Sequence, residues 1–170
     1  MSNTSAFLNF AYGSNMLAGR LRERVPSARL VATACLAGHT LRWHKVSKDG
    51  SGKCDATVDD SPDACVWGVV YEIALPEKPK LDEAEGLGNG YEERTVRVET
   101  RDGSMEAHLY YATNIDGVAL PYDWYKALVV AGARQNGLPA DYIAVLESAP
   151  SKPDANAQRA RKNAALLAGT

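Results

Sequence analysis

Hydrophobic and polar positions alternate along much of the first two thirds of the chain, a pattern typical of β-strands. Short apolar runs bounded by turn residues predict a strand over residues 8–12 and a longer extended region over residues 30–44. The run 64–74 is apolar almost throughout, as a strand buried on both faces would be. We therefore expect it to lie in the centre of a sheet.

A β-hairpin is predicted between residues 94 and 113, because Asp102-Gly103 separates two alternating segments. In the second segment, Tyr110 falls on the same face as the polar residues Glu106 and His108. The opposite face is apolar. Tyr110 is therefore a candidate for a polar role.

The spacing becomes helical after residue 120. One helix is predicted from Pro121 to the stop signal Asn136-Gly137, a second after Pro139, and a charged, Ala-rich helix at the C-terminus. Strands followed by helices indicate an α+β fold, with a small, mostly antiparallel sheet that curls towards a β-barrel and is flanked by helices. We expect one domain over residues 1–150 and a helical extension over residues 151–170.

Composition narrows the class of ligand. A chain of 170 residues with a formal net charge of -2 has no broad basic field for nucleic acid and no polybasic segment for a membrane surface. No signal peptide or membrane-spanning run is recognisable. We therefore expect a cytoplasmic protein that binds a small molecule.

Several familiar kinds of site are not supported. The three cysteines, Cys35, Cys54 and Cys65, are widely spaced, which predicts reduced thiols and no zinc site. The segment 50–53, GSGK, lacks the other residues of a phosphate-binding loop. The histidines have no evident acid partner, so a serine triad is not expected.

The segment Tyr12-Gly13-Ser14-Asn15 follows the first strand and precedes a predicted helix, for which Asn15 is a favoured N-cap residue. Free N–H groups at such a position attract a carboxylate or phosphate, and glycine lets the anion approach the backbone. The alternative is a capped turn without a ligand. Spacing alone favours the turn.

A second candidate is Glu85. On a short helix Leu81 and Glu85 project together while Glu83 points away, so the face that buries Leu81 brings Glu85 to the rim of the core. A carboxylate beside apolar surface suits a base that works near neutral pH. The alternative is a solvated acidic turn, and periodicity alone favours it.

The ordered segments FAYGSNM, VWGVVYEI, LDEAEG, YEERTV, LYYAT and YKALVVAGARQNGLPADY resemble the gamma-glutamylcyclotransferase family. The resemblance runs from about residue 10 to residue 142. It implies a small mixed barrel flanked by helices, in the cytosol and without a cofactor. It also implies a reaction in which the α-amine of a gamma-glutamyl substrate attacks its own γ-carbonyl, which releases 5-oxoproline and the attached amine or peptide.

By this resemblance Glu85 is the general acid/base, and the loop Tyr12, Gly13, Ser14 and Asn15 binds the glutamyl carboxylate. Tyr110 and Tyr125 line the pocket, although Tyr125 could also be a core residue. The leaving amine and the oligomeric state stay open, with a homodimer as one alternative. A non-catalytic protein that binds a small carboxylate on the same fold is the alternative function.

Overall fold

The structure is a computed structural model that describes residues 5–170. Its helices and strands occur in an order that places most strands before most helices. They are β1 (Ala6–Ala11), α1 (Ala18–Arg24), β2 (Arg29–Ala37), β3 (His39–Val46), β4 (Gly52–Val58), β5 (Cys65–Ala74), α2 (Lys78–Glu85), β6 (Tyr91–Thr100), β7 (Gly103–Ala112), α3 (Asp123–Gln135), α4 (Ala140–Ser148) and α5 (Ala157–Ala164). Short 3₁₀ turns cover Ser14–Met16, Leu75–Glu77 and Ala165–Gly169.

Five strands close into a barrel in the order β1-β5-β2-β6-β7. Neighbouring strands are antiparallel except for β1 and β7, which close the barrel in parallel through the pair Asn9 and His108. The remaining strands, β3 and β4, form a separate two-stranded sheet. The predicted α+β class, with a mostly antiparallel sheet curled into a barrel, is confirmed.

A closed barrel has no central strand, but β5 pairs along most of its length with both β1 and β2, as its apolar run predicts. Its side chains Val66, Val69, Val70 and Ile73 are fully buried. Gly68 lies so close to β1 that a Cβ atom there would be 2.4 Å from the carbonyl oxygen of Ala11. Glycine therefore allows β1 to approach the centre of β5.

The predicted hairpin is also confirmed. Strands β6 and β7 pair from Tyr91 and Ala112 to Thr100 and Gly103, so the turn is Arg101-Asp102, one residue earlier than predicted. The extended region 30–44 differs from the prediction, because it contains two strands of different sheets. Gly38, with a φ of 72°, separates β2 from β3 there.

Helix α3 packs against the 3₁₀ turn Ser14–Met16. A Cβ atom on Gly132 would lie 2.6 Å from the backbone nitrogen of Leu17, so glycine is required for this contact. Two of the side-chain hydrogen bonds that hold the C-terminal segment run from Trp124 Nε1 to Asp154 and from Arg20 Nη1 to Asn163, both 2.9 Å long. The domain boundary at residue 150 stays a prediction.

The expectation of three reduced cysteines is wrong. The structure joins Cys35 on β2 to Cys65 on β5 by a disulfide, with Cα atoms 6.0 Å apart. Cys54 is a buried free thiol. Spacing in sequence did not reveal the pair, because only the antiparallel register of β2 and β5 brings it together. Across residues 5–170, no helix has both the length and the apolar character needed to cross a bilayer.

Candidate active site

A cavity of about 50 Å³, here called the inner cavity, opens at the end of β1. Residues from the β1 end, α2, β7 and α3 line it, although they are far apart in sequence. The structure brings together there all seven residues that the sequence nominates, which are Tyr12, Gly13, Ser14, Asn15, Glu85, Tyr110 and Tyr125. Their chemical roles stay predictions.

The loop after β1 does not enter a helix as expected. It forms the 3₁₀ turn Ser14–Met16, and α1 begins only at Ala18 without a side-chain cap. Asn15 is therefore not an N-cap residue. Its side chain instead donates a hydrogen bond to Oε1 of Glu85 and accepts one of 3.0 Å from Nη1 of Arg24.

Backbone donors in this loop are free. The carbonyl groups of Gly13 and Ser14 accept bonds within the turn, but the N–H groups of Gly13, Ser14 and Asn15 donate to no acceptor among residues 5–170. Such unpaired N–H groups at the start of a helical turn suit an anion. A Cβ atom on Gly13 would lie 3.0 Å from the hydroxyl oxygen of Tyr125 and 3.3 Å from Cβ of Cys54, so no larger residue fits without a shift.

Glu85 is the last residue of α2, and Gly86 ends the helix with a left-handed φ of 77°. Leu81, one turn earlier on the same face, is fully buried, as the spacing predicts. The surroundings of Glu85 are more polar than expected, since Oε1 accepts from Asn15 and lies 3.1 Å from Nη1 of Arg24. Oε2 has no hydrogen-bond partner among the described residues.

The tyrosines of the cavity are bound to other groups. Tyr12 donates a 2.5 Å hydrogen bond to the carbonyl oxygen of Tyr110, and the hydroxyl of Tyr110 donates one of 2.5 Å to Asp82. The hydroxyl of Tyr125 accepts from the backbone N–H of Cys54 at 3.1 Å. These bonds fix the three rings as walls of the cavity.

Burial sets the ionisation of these groups. It raises the pKa of Tyr12 and Tyr125 well above the ordinary value, and burial with a hydrogen bond to Asp82 raises the pKa of Tyr110. Burial also raises the pKa of the Cys54 thiol to about 12. None of these tyrosine and cysteine side chains is an anion near neutral pH. Glu85 supplies the carboxyl group in the lining of the inner cavity.

Besides the apolar Phe10 and Ala11, sequence reasoning missed three residues in this lining that carry a polar group or a thiol: Asn9, Cys54 and Tyr91. Asn9 is 2% exposed, and its Oδ1 atom is buried without a hydrogen-bond partner among the described residues. The available signal was a polar residue inside the otherwise apolar strand LNFAY. Tyr91 donates a 2.6 Å bond to the carbonyl oxygen of Cys54, which ties β6 to β4.

The expectation that the histidines lack acid partners is wrong for two of the three. Nε2 of His44 lies 2.8 Å from Asp55, and Nδ1 of His108 lies 3.6 Å from Glu93. Neither histidine lines the inner cavity. Within residues 5–170, no group of three or more His, Cys, Asp and Glu side chains could hold a metal ion.

Comparisons with known proteins agree with this geometry. The AIG2-like family matches residues 65–146. Human gamma-glutamylcyclotransferase is 38% identical over 143 residues, which cover 81% of this chain and 75% of the human protein. The bovine protein of the same name is 37% identical over 149 residues, which cover 84% of this chain and 78% of the bovine one.

The fold has been seen in a solved relative. A structure described as gamma-glutamyl cyclotransferase superposes with a TM-score of 0.88 at 29% identity, and the match covers 98% of this chain and 100% of that one. Sequence and fold therefore agree over most of the chain, and the chain belongs to the gamma-glutamylcyclotransferase family.

Proposed function

We propose that the protein is a cyclotransferase that converts a gamma-glutamyl amine, amino acid or peptide into 5-oxoproline and the free amine. The observation that carries this proposal is the carboxylate of Glu85. One oxygen is held by Asn15 and Arg24, and the other is free beside a loop of unpaired backbone donors. Membership of the family supports the same reaction class.

The glutamyl α-carboxylate needs an anion site. The N–H groups of Gly13, Ser14 and Asn15 supply donors without competing acceptors among the described residues. One of these three N–H groups can also donate to the γ-carbonyl oxygen, where negative charge develops in the transition state. Neutral tyrosine walls exclude water from this charge and so strengthen each of these hydrogen bonds.

The chemical step is an internal acyl transfer. The α-amine nitrogen attacks the γ-carbonyl carbon, a C–N bond forms, and the C–N bond to the leaving amine breaks. The α-nitrogen loses two protons as it goes from ammonium to lactam N–H, and the leaving nitrogen gains two as it goes from amide N–H to ammonium. Oε2 of Glu85 relays them from the first nitrogen to the second, so protons balance without a cofactor. The nucleophile belongs to the substrate, which fits a cavity whose one thiol, Cys54, is held protonated.

Much of the rate would come from holding the substrate folded. A bound conformation with the amine over the carbonyl prepays the entropy of bringing the two groups together. This lowers the activation barrier by about 7 kcal/mol. The small volume of the inner cavity, about 50 Å³, supports a site that admits little besides the glutamyl group. The leaving group would then extend outside it.

The location of the protein and its partners are proposed as well. We propose that the protein acts in the cytoplasm on a free small molecule, without a nucleic-acid or membrane partner, and the net charge of -2 supports this. A homodimer stays a prediction.

The test is product formation. The protein is incubated with gamma-glutamyl-alanine and with several gamma-glutamyl amines, and 5-oxoproline is quantified. Release from at least one of them is the expected result. A thermal shift with glutamate or 5-oxoproline, together with no turnover of the whole panel, would overturn the proposal in favour of a non-catalytic binding protein.

A further inference from the structure

A second cavity of about 200 Å³, here called the outer cavity, adjoins the inner cavity. The two share Ser14, Glu85, Tyr91 and Tyr125 in their linings. Glu85 therefore stands at the boundary between them. A substrate whose glutamyl group fills the inner cavity would extend its leaving group into the outer one.

Positive charge dominates the outer cavity. Two acidic residues line it, Glu83 and Glu85, against five basic ones, which are Arg20, Arg24, Lys45, Lys48 and Lys53. Two of the basic groups already have acid partners, since Arg24 lies 3.1 Å from Glu85 and Lys53 lies 3.0 Å from Asp49. The other three leave the cavity with an excess of positive charge.

Lys45 is the most unusual of these. It lies on β3, is only 7% exposed, and its Nζ atom sits 4.6 Å from the centre of the Tyr91 ring. Among residues 5–170 the ammonium group has neither a hydrogen-bond acceptor nor an ion-pair partner. Burial lowers the pKa of Lys45. The ammonium group thus lines the outer cavity without a hydrogen-bond acceptor from the described residues, and an anionic group of a ligand would supply one.

Arg20 is the second cation without an acid. Its Nε atom donates to the hydroxyl of Ser14 and its Nη1 atom to the side-chain oxygen of Asn163, both at 2.9 Å. Both acceptors are neutral, and no carboxylate among the described residues forms an ion pair with it. Its guanidinium is thus fixed in orientation but not neutralised. Burial lowers the pKa of Arg20 to about 10.

We propose that the outer cavity is the subsite for the leaving amine, and that it favours a leaving amine with two acidic groups, as an acidic amino acid has. Lys45 binds one acidic group and Arg20 the other. A leaving amine with a single carboxylate would leave one of these cations unpaired. The inference rests on the proposed cyclotransferase function, which fixes the glutamyl group in the inner cavity.

A matched pair of substrates tests it. Gamma-glutamyl-glutamate and gamma-glutamyl-glutamine have nearly the same shape and differ by one negative charge, and gamma-glutamyl-alaninamide has no acidic group on its leaving amine. We expect kcat/KM for 5-oxoproline release to be about tenfold higher for the glutamate conjugate than for the glutamine conjugate, because a charge-assisted hydrogen bond replaces a neutral one. The alaninamide conjugate should be slower still.

Lys45→Met removes the charge and keeps most of the length of the side chain. It should reduce the preference for glutamate over glutamine to within about twofold, by removing the ion pair that discriminates between them. Lys80→Met is the matched control, since Lys80 is exposed on α2 and does not line the cavity. It should keep the wild-type preference.

The outcomes separate the two proposals. Equal kcat/KM for all three conjugates in the wild-type protein overturns the acidic subsite without the use of any variant, and it leaves the cyclotransferase proposal standing. A tenfold preference that survives in Lys45→Met overturns the role of Lys45. No 5-oxoproline from any gamma-glutamyl compound overturns the proposed function and the subsite with it.

Discussion

The amide of Asn15 donates a hydrogen bond to the carboxylate of Glu85, 70 positions later in the chain. Arg24 contacts both, with Nη1 3.0 Å from Oδ1 of Asn15 and 3.1 Å from Oε1 of Glu85. The loop after β1, helix α1 and the end of α2 thus meet in one hydrogen-bonded cluster. This cluster holds the candidate base in register with the candidate carboxylate site.

Glu85→Gln tests the proton transfer directly. Glutamine keeps the size of the side chain but cannot accept the proton of the substrate ammonium group. General acid–base catalysis contributes about 10² to 10⁴ in rate, so kcat should fall by a factor in that range. The measurement is single-turnover release of 5-oxoproline from a substrate that the wild-type protein accepts.

Glu106→Gln makes the same change at an exposed position of β7 outside the cavity. It should turn over like the wild type, with the same thermal midpoint. Equal rates for wild type and Glu85→Gln would remove Glu85 from the mechanism.

Gly13→Val tests the loop. The added side chain would meet the hydroxyl oxygen of Tyr125 at 3.0 Å and Cβ of Cys54 at 3.3 Å, so the loop or α3 must shift. We expect turnover to fall by about 10² or more, because displaced N–H groups no longer meet the substrate. Overpacking should cost about 1 to 3 kcal/mol of unfolding free energy.

Gly19→Val is the matched control. Gly19 is exposed in α1, and a Cβ atom there meets nothing within 4 Å. Valine has a higher helix propensity than glycine, so stability should rise slightly and turnover should stay the same. If Gly13→Val turned over as fast as Gly19→Val, the loop would have no part in substrate binding.

The local pattern of apolar, polar and turn residues predicted much of the fold. The apolar run of β5, the turn beside Gly103 and the helical spacing of α3 depend on neighbours in sequence, and the structure contains all three. Leu81 and Glu85 share a face for the same reason. Contacts between distant segments were not predictable in this way. The Cys35–Cys65 disulfide depends on strand register, and Arg24 reaches Glu85 only because α1 packs against α2.

Asn9 shows how a site residue escapes such reasoning. Its strand is recognisable, but its place beside the cavity depends on the closure of the barrel between β1 and β7. Its unpaired Oδ1 atom should cost about 1 to 3 kcal/mol of stability in the free protein. A hydrogen bond to the glutamyl group of a substrate would offset this cost.

Asn9→Leu should therefore separate stability from activity. Leucine has a similar shape and no unpaired acceptor, so unfolding free energy should stay level or rise by about 1 kcal/mol. Turnover should fall by about tenfold, since the substrate loses a hydrogen bond in a site closed to water. Urea unfolding and kcat/KM measure the two effects. A variant with lower stability and full activity would contradict this assignment.

The ammonium group of Lys53 lies 4.6 Å from the centre of the Trp124 ring and 4.4 Å from that of Tyr125. Burial lowers its pKa from the ordinary 10.5 to about 8, although Asp49 opposes the shift. Between these two values the unfolded chain binds a proton that the folded protein has released. Stability should therefore rise with pH in this window.

Lys53→Met removes this titration and keeps the aliphatic part of the side chain. The unfolding free energy of the wild type, relative to the variant, should increase by about 2 kcal/mol between pH 7.5 and pH 9.5, where 1.36 kcal/mol corresponds to one pKa unit. Lys80→Met, at an exposed position, should follow the wild type at both values. Parallel curves for wild type and Lys53→Met in urea unfolding would mean that Lys53 keeps an ordinary pKa and that the aromatic rings do not exclude water from it. The basic side chains that line the outer cavity would then be more hydrated, and their attraction for an acidic leaving group would be weaker.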